Sequence, residues 1–189
     1  MSQALVSAPP RLPKSYWARF ALISVVLICG VFLLATRGDL GALERYGAYA
    51  VGAFGHPHGP NFAPLIEAGP VVMTHVVTVL GALGIGVWLL LGVKGRLLHR
   101  VLGWAWVLLM VVTAFTTLFI HTINPGGLSF IHIFSAAVLI QAPLGLYFAR
   151  RHNVGAHSRT MIGLFFGAVV IAGLFTFLPG RIMYQVFFG

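Results

Sequence analysis

Acidic side chains are almost missing from this chain: Asp and Glu together number 3 in 189 residues, against 12 Lys and Arg. Asp39, Glu44 and Glu67 all fall between positions 37 and 70, outside the long apolar runs. Their absence from those runs disfavours a carboxylate-based proton or sodium pathway. Cysteine is nearly absent as well. The single Cys29 excludes an internal disulfide, and its simplest role is packing. No Gly-rich phosphate loop, HExxH, CxxC or nucleophile elbow occurs, which disfavours the chemistries those motifs carry. The duplicated, interrupted helices of many secondary transporters are lacking too.

What the chain has in abundance is apolar length. Hydrophobic residues make up 59% and charged residues only 8%. Runs at about 16–35, 71–92, 101–120, 128–148 and 161–179 each approach the roughly 20 residues a spanning helix needs. The alternating pattern of a membrane barrel is absent, so helices are the spanning structure that satisfies the backbone internally. The expected fold is therefore all-α and integral to a membrane, with five spans in a single domain, 1–189. Three connections are short (VKGRLLHR, HTINPGG and ARRHNVGAHSR), which makes spans two to five sequential antiparallel neighbours. They are expected to form an up-and-down four-helix bundle with the first span packed alongside.

A net charge of +9 would suggest nucleic acid in a soluble protein, but its placement explains it better here. With the N-terminus inside, Arg11, Lys14, Arg19, Lys94, Arg96, Arg100, Arg150, Arg151 and Arg159 are cytoplasmic, leaving Arg37, Arg45 and Arg181 outside. This positive-inside bias predicts a bacterial inner-membrane protein with a cytoplasmic N-terminus and a periplasmic C-terminus. The bilayer, with its anionic lipid, is the expected partner, and nucleic acid is not. ATRGDL after the first run offers no small-x-small cleavage site, so that run reads as a retained signal anchor.

The external segment 37–70 carries Leu40, Leu43, Tyr46, Ala50 and Phe54 on one face of a short amphipathic helix. His56 and His58 follow in a proline-containing loop. Such turns often hold histidines that bind nothing.

Ionisable side chains at membrane depth usually face a bundle interior and mark a cofactor, metal, proton or substrate site. His75 and His132 lie about one turn inside spans that start from the same side, and His99 and His157 mark the opposite side. His75, Thr78, Ala82 and Gly86 form a small or polar stripe on the second span. His99, Gly103, Trp106, Met110, Thr113, Thr117 and His121 form a longer one on the third, and Ser129, His132 and Ala136 a third stripe. Membrane helices pack through such faces, and Gly163 and Gly167 offer the fifth span a similar surface. His99 and His121 are ~33 Å apart along one helix, near the two membrane surfaces.

Histidine pairs near each face of a four-helix bundle suit b-type haem, whose iron takes two imidazoles. This arrangement resembles the cytochrome b561 type in architecture. On that reading His75 and His132 hold an outer haem and His99 and His157 an inner one. Small neighbours leave room for porphyrin, and Arg100 and Arg159 meet propionates. The protein would then move electrons between a membrane quinol or redox partner and an acceptor. A second reading makes the histidines interhelical hydrogen-bond partners in a non-catalytic subunit of a larger membrane complex. A third builds a zinc or copper site at the outer face from His75, His121 and His132. Met110, Met161 and Met183 read as packing.

From about Val71 onward the chain also resembles a bacterial family of predicted multi-helix membrane proteins of unassigned function. The residues that carry the likeness are His75, His99-Arg100-Val-Leu-Gly103 and His157-Ser-Arg159-Thr-Met161. The resemblance implies topology and recurrent positions, not an activity.

Overall fold

The computed structural model describes residues 13–16, 18–19, 21–23, 25–26, 52, 58–120 and 131–188. Among them the chain is helical and contains no strand. A short α1 (Ala63–Glu67) leads into α2 (Gly69–Leu91), followed by α3 (Leu97–Thr117), α4 (Ile131–Arg150) and α5 (Val154–Leu164). The rod begun by α5 continues through a π-helical stretch at Phe165–Ile171, α-helical Ala172–Leu174 and a 3-10 turn at Phe175–Phe177. A final α6 spans Ile182–Phe188.

Among the described residues, three helices, Gly69–Leu91, Leu97–Thr117 and Val154–Phe177, are long and apolar enough to cross a membrane, and α4 holds a shorter apolar stretch, Phe134–Arg150. Their outward faces are greasy: Leu80, Leu108 and Ile140 are all exposed, as a bilayer permits and water does not. The element bounds correct the sequence reading at several points. The fifth rod begins at Val154 rather than 161 and ends before Pro179, and α3 starts at Leu97 rather than 101. In both cases the polar first turn of the helix escaped a criterion based on apolar length alone.

The chain turns where its residues require it. Gly69 takes a left-handed φ of +87° immediately before Pro70, which opens α2. At the far end of α2, Lys94 Nζ bonds the Leu90 and Gly92 carbonyls, covering acceptors the helix leaves open. His152, with φ 55°, makes the left-handed exit from α4. Asn153 then caps α5 by accepting from Ala156 N at 3.1 Å. Pro143 inside α4 removes one helical hydrogen bond, a defect that membrane bundles tolerate.

α2 packs on α3, α3 on α4 and α4 on α5, and the π-helical stretch returns to α2. The four rods thus close a ring that leaves α2 facing α4, and α3 facing α5, across its diagonals. At one end Tyr16 Oη donates 3.0 Å to the Arg159 carbonyl, fastening the N-terminal helical residues to α5. At the opposite end α6 packs on α1, with His58 N and Asn61 N donating to the Phe187 and Val186 carbonyls. Leu40, Leu43, Tyr46, Ala50 and Phe54, the face of the expected amphipathic helix, lie outside the described residues, as does Cys29.

Candidate functional site: two histidine tiers separated by an aromatic layer

The stripes on α2 and α3 meet in antiparallel register. His75 Nδ1 lies 3.1 Å from the Thr113 carbonyl, with the Thr116 and Thr117 hydroxyl oxygens at 3.3 and 3.2 Å. A carbonyl only accepts, so this contact puts the ring proton on Nδ1 and leaves Nε2 of a neutral imidazole as its lone-pair nitrogen. Below it, Thr113 Oγ1 donates 2.8 Å to Thr78 Oγ1, which donates onward to the Thr74 and His75 carbonyls. Four threonines therefore stand around one histidine at the α1–α6 end of the bundle. His132, in the first turn of α4, belongs to the same end and is buried with Ser135.

Seven positions further along α2, ~10 Å by helical rise, Trp106 Nε1 donates 2.9 Å to the Ala82 carbonyl. Ala82, Trp106, Met110 and Phe165 are buried here in one apolar cluster with Val107, Ala142 and Leu164. This layer fills the middle of the bundle between the histidines. A Cβ on Gly86 would come within 2.5 Å of the Phe165 ring and 2.8 Å of Trp106 Nε1, so the space is already filled by aromatic rings.

The second tier lies ~10 Å beyond the layer, since His99 is seven positions from Trp106 on α3. His157 Nδ1 lies 2.8 Å from the Gly145 carbonyl, the same tautomer-setting contact that His75 makes. Met161, one turn on, presses the same glycine: a Cβ on Gly145 would overlap Met161 Cε. The spacing of His157 and Met161 is thereby explained, because both close α5 onto α4 at its glycine. His99 and His157 are electrostatic neighbours, with Lys94 also near. The His99 Nδ1 atom is buried and has no hydrogen-bond partner among the described residues.

Other expectations fare differently. On α4 the inward series is His132, Ser135, Val138, Ala142 and Gly145, so Ser135 replaces Ala136, which is exposed. Among the described residues, Gly163 has Tyr16 Oη 3.7 Å from its Cβ position and Gly167 has nothing within 4 Å. The π-helical register turns Phe165 and Val169 inward. His58 is exposed, with Nδ1 on the Gly59 carbonyl. Arg100 and Arg159 are exposed at the end of the bundle carrying the α2–α3 and α4–α5 turns. His56, His121 and Ser129 lie outside the described residues, among which no group of three His, Cys, Asp or Glu could hold a metal ion. Three of the four threonines around His75 were legible, since Thr78, Thr113 and Thr117 lie on the stripes while Thr116 does not.

Searches with the chain match no family model, no curated protein and no solved structure.

Proposed function

We propose that this chain is a five-span b-type haem protein of the bacterial inner membrane, serving electron transfer through bis-histidine sites. His75 and His132 form the outer pair, and His99 and His157 the inner pair. One observation carries the reading: His75 and His157, in opposite tiers, each commit Nδ1 to a backbone carbonyl of the adjacent helix. Metal-ligating histidines are oriented in this way, with the second nitrogen left for the ligand bond. The donor set therefore fits haem iron. The middle of the bundle does not, since Trp106 and Phe165 fill it, and any cofactor belongs at the tiers. A bound haem supplies a one-electron couple at iron.

The residues would divide the work. Thr113 holds the His75 ring in place, Gly145 holds His157, and Arg100 and Arg159 meet propionates at the basic end. The central apolar layer keeps water out between the tiers. The basic end faces the cytoplasm by the positive-inside rule, which places the N-terminus inside and the C-terminus in the periplasm. A membrane quinol or redox protein is the class of electron donor.

The same hydrogen bonds favour a second reading. His75 and His157 tie neighbouring helices, as histidines do in a purely structural membrane subunit of a larger complex. A reduced-minus-oxidised absorption spectrum of the detergent-purified chain separates the two. The haem reading expects a low-spin b-type spectrum that turns high-spin or vanishes in His75→Ala and in His132→Ala, with iron in the metal analysis. Unchanged spin state and occupancy in both variants would overturn the ligand pair. A colourless, iron-free protein that co-purifies with a larger complex favours the structural reading. Zinc or copper in place of iron would point to the outer metal site with His121.

A further inference from the structure

The basic end has cations and, among the described residues, no acid to pair them: the one described carboxylate, Glu67, lies beside the start of α2 at the opposite end. Two of these cations are held over aromatic rings. Arg150 Cζ stands 5.2 Å from the Trp104 ring centroid, joining α4 to α3, and Arg151 Cζ stands 5.4 Å from that of Tyr147. Both rings are half exposed, Trp104 at 52% and Tyr147 at 50%. Arg100 lies one turn before Trp104 on the same exposed face of α3, and Leu108 one turn after it. On α4 the order repeats, with Arg150 and Arg151 followed inward by Tyr147, Leu144 and Ile140, all exposed.

The exposed surface of α3 and α4, bridged by the Arg150–Trp104 contact, is thus layered from its end inward as guanidinium, aromatic ring and aliphatic side chain. We infer that it binds the phosphate of an anionic phospholipid, with Arg150 and Arg100 at the headgroup and an acyl chain lying along Leu108 and Ile140. Charge complementarity and the layering together select a lipid. A soluble acidic protein would match the cations but would leave the aliphatic strip uncovered. Interfacial Trp and Tyr sit at headgroup depth, and the ring of Trp104 holds the Arg150 guanidinium where α4 meets α3. Arg100 is shared with the haem reading, where it meets a propionate, while Arg150, Trp104, Leu108 and Ile140 have no part in that reading and carry the test.

Native mass spectrometry of the full chain in mild detergent, titrated with phosphatidylglycerol or phosphatidylcholine, tests the site. Phosphatidylglycerol should bind more tightly. Arg150→Gln should weaken it about fivefold, the order expected for one arginine at an anionic membrane surface, and Trp104→Leu should weaken it too. Arg181→Gln, the same charge change at the opposite end, should leave it unaltered. Equal binding of both lipids would overturn the inference, as would equal losses in Arg150→Gln and Arg181→Gln. Displacement of the lipid by millimolar inorganic phosphate would identify a free-anion site instead. Circular dichroism of each variant checks that lost binding is not lost fold.

Discussion

Trp106 donates from its indole Nε1 to the carbonyl oxygen of Ala82 across 2.9 Å, and both residues are buried. This hydrogen bond sets the register of α2 against α3 midway between the histidine tiers. With Trp106 fixed opposite Ala82, the antiparallel pairing brings Thr113 opposite Thr78 and the Thr113 carbonyl opposite His75. The arrangement of the outer tier thus depends on a contact ~10 Å below it.

Trp106→Phe should keep most of the apolar contact and lose the hydrogen bond, costing about 0.6–1.7 kcal/mol, the range for interhelical hydrogen bonds in membrane bundles. Trp106→Ala should cost about 3–5 kcal/mol because it also empties the layer. Reversible unfolding in mixed micelles measures both. Equal losses would show that the indole nitrogen, not the ring volume, holds the layer.

Gly86 and Gly84 provide a matched pair on α2. Gly86→Ala drives a methyl into the Phe165 ring, a backbone-to-aromatic overlap that should cost about 1–3 kcal/mol. Gly84 is exposed, with nothing among the described residues within 4 Å of its Cβ position. Gly84→Ala should therefore be neutral or stabilising by up to about 1 kcal/mol, through the helix preference of alanine. Thermal midpoints of the two variants should move in opposite directions or differ strongly.

Thr78 and Thr113 should be energetically coupled. A double-mutant cycle with Thr78→Val and Thr113→Val is expected to give an interaction energy of about 0.6 kcal/mol, bounded by ~1.7. A value indistinguishable from zero would mean that the Oγ1 contact at 2.8 Å adds nothing to stability.

Gly145→Ala should destabilise the α4–α5 contact, because the new methyl meets Met161 Cε. Met161 is flexible, so Met161→Ala should relieve the clash, and the double variant should lose less than the sum of the single losses. Simple additivity would place the strain at the His157 ring instead.

On the proposed five-span topology with its positive-inside bias, a reporter fused after Gly189 should behave as periplasmic. Cytoplasmic activity of that fusion would reject the five-span topology.

Membrane residence and helical class were legible in composition and run length alone, because bilayer thickness and backbone hydrogen bonding leave few choices for such a chain. The inward faces of α2 and α3 were legible too. Residues three and four apart share a helix face, and small or polar residues stand out against bulky lipid-facing ones. Tertiary structure alone decided what fills the space beside those faces. Gly86 reads as a vacancy in one dimension, yet Phe165 from a rod almost eighty positions away occupies it, aimed there by a π-helical register that no periodicity rule anticipates. The choice of Ser135 over Ala136 beside His132 likewise follows from how α4 is rotated by its contacts with α3 and α5. Local sequence sets which residues share a helix face, while the rotation of each helix and the partners it meets emerge only when all the rods pack against one another.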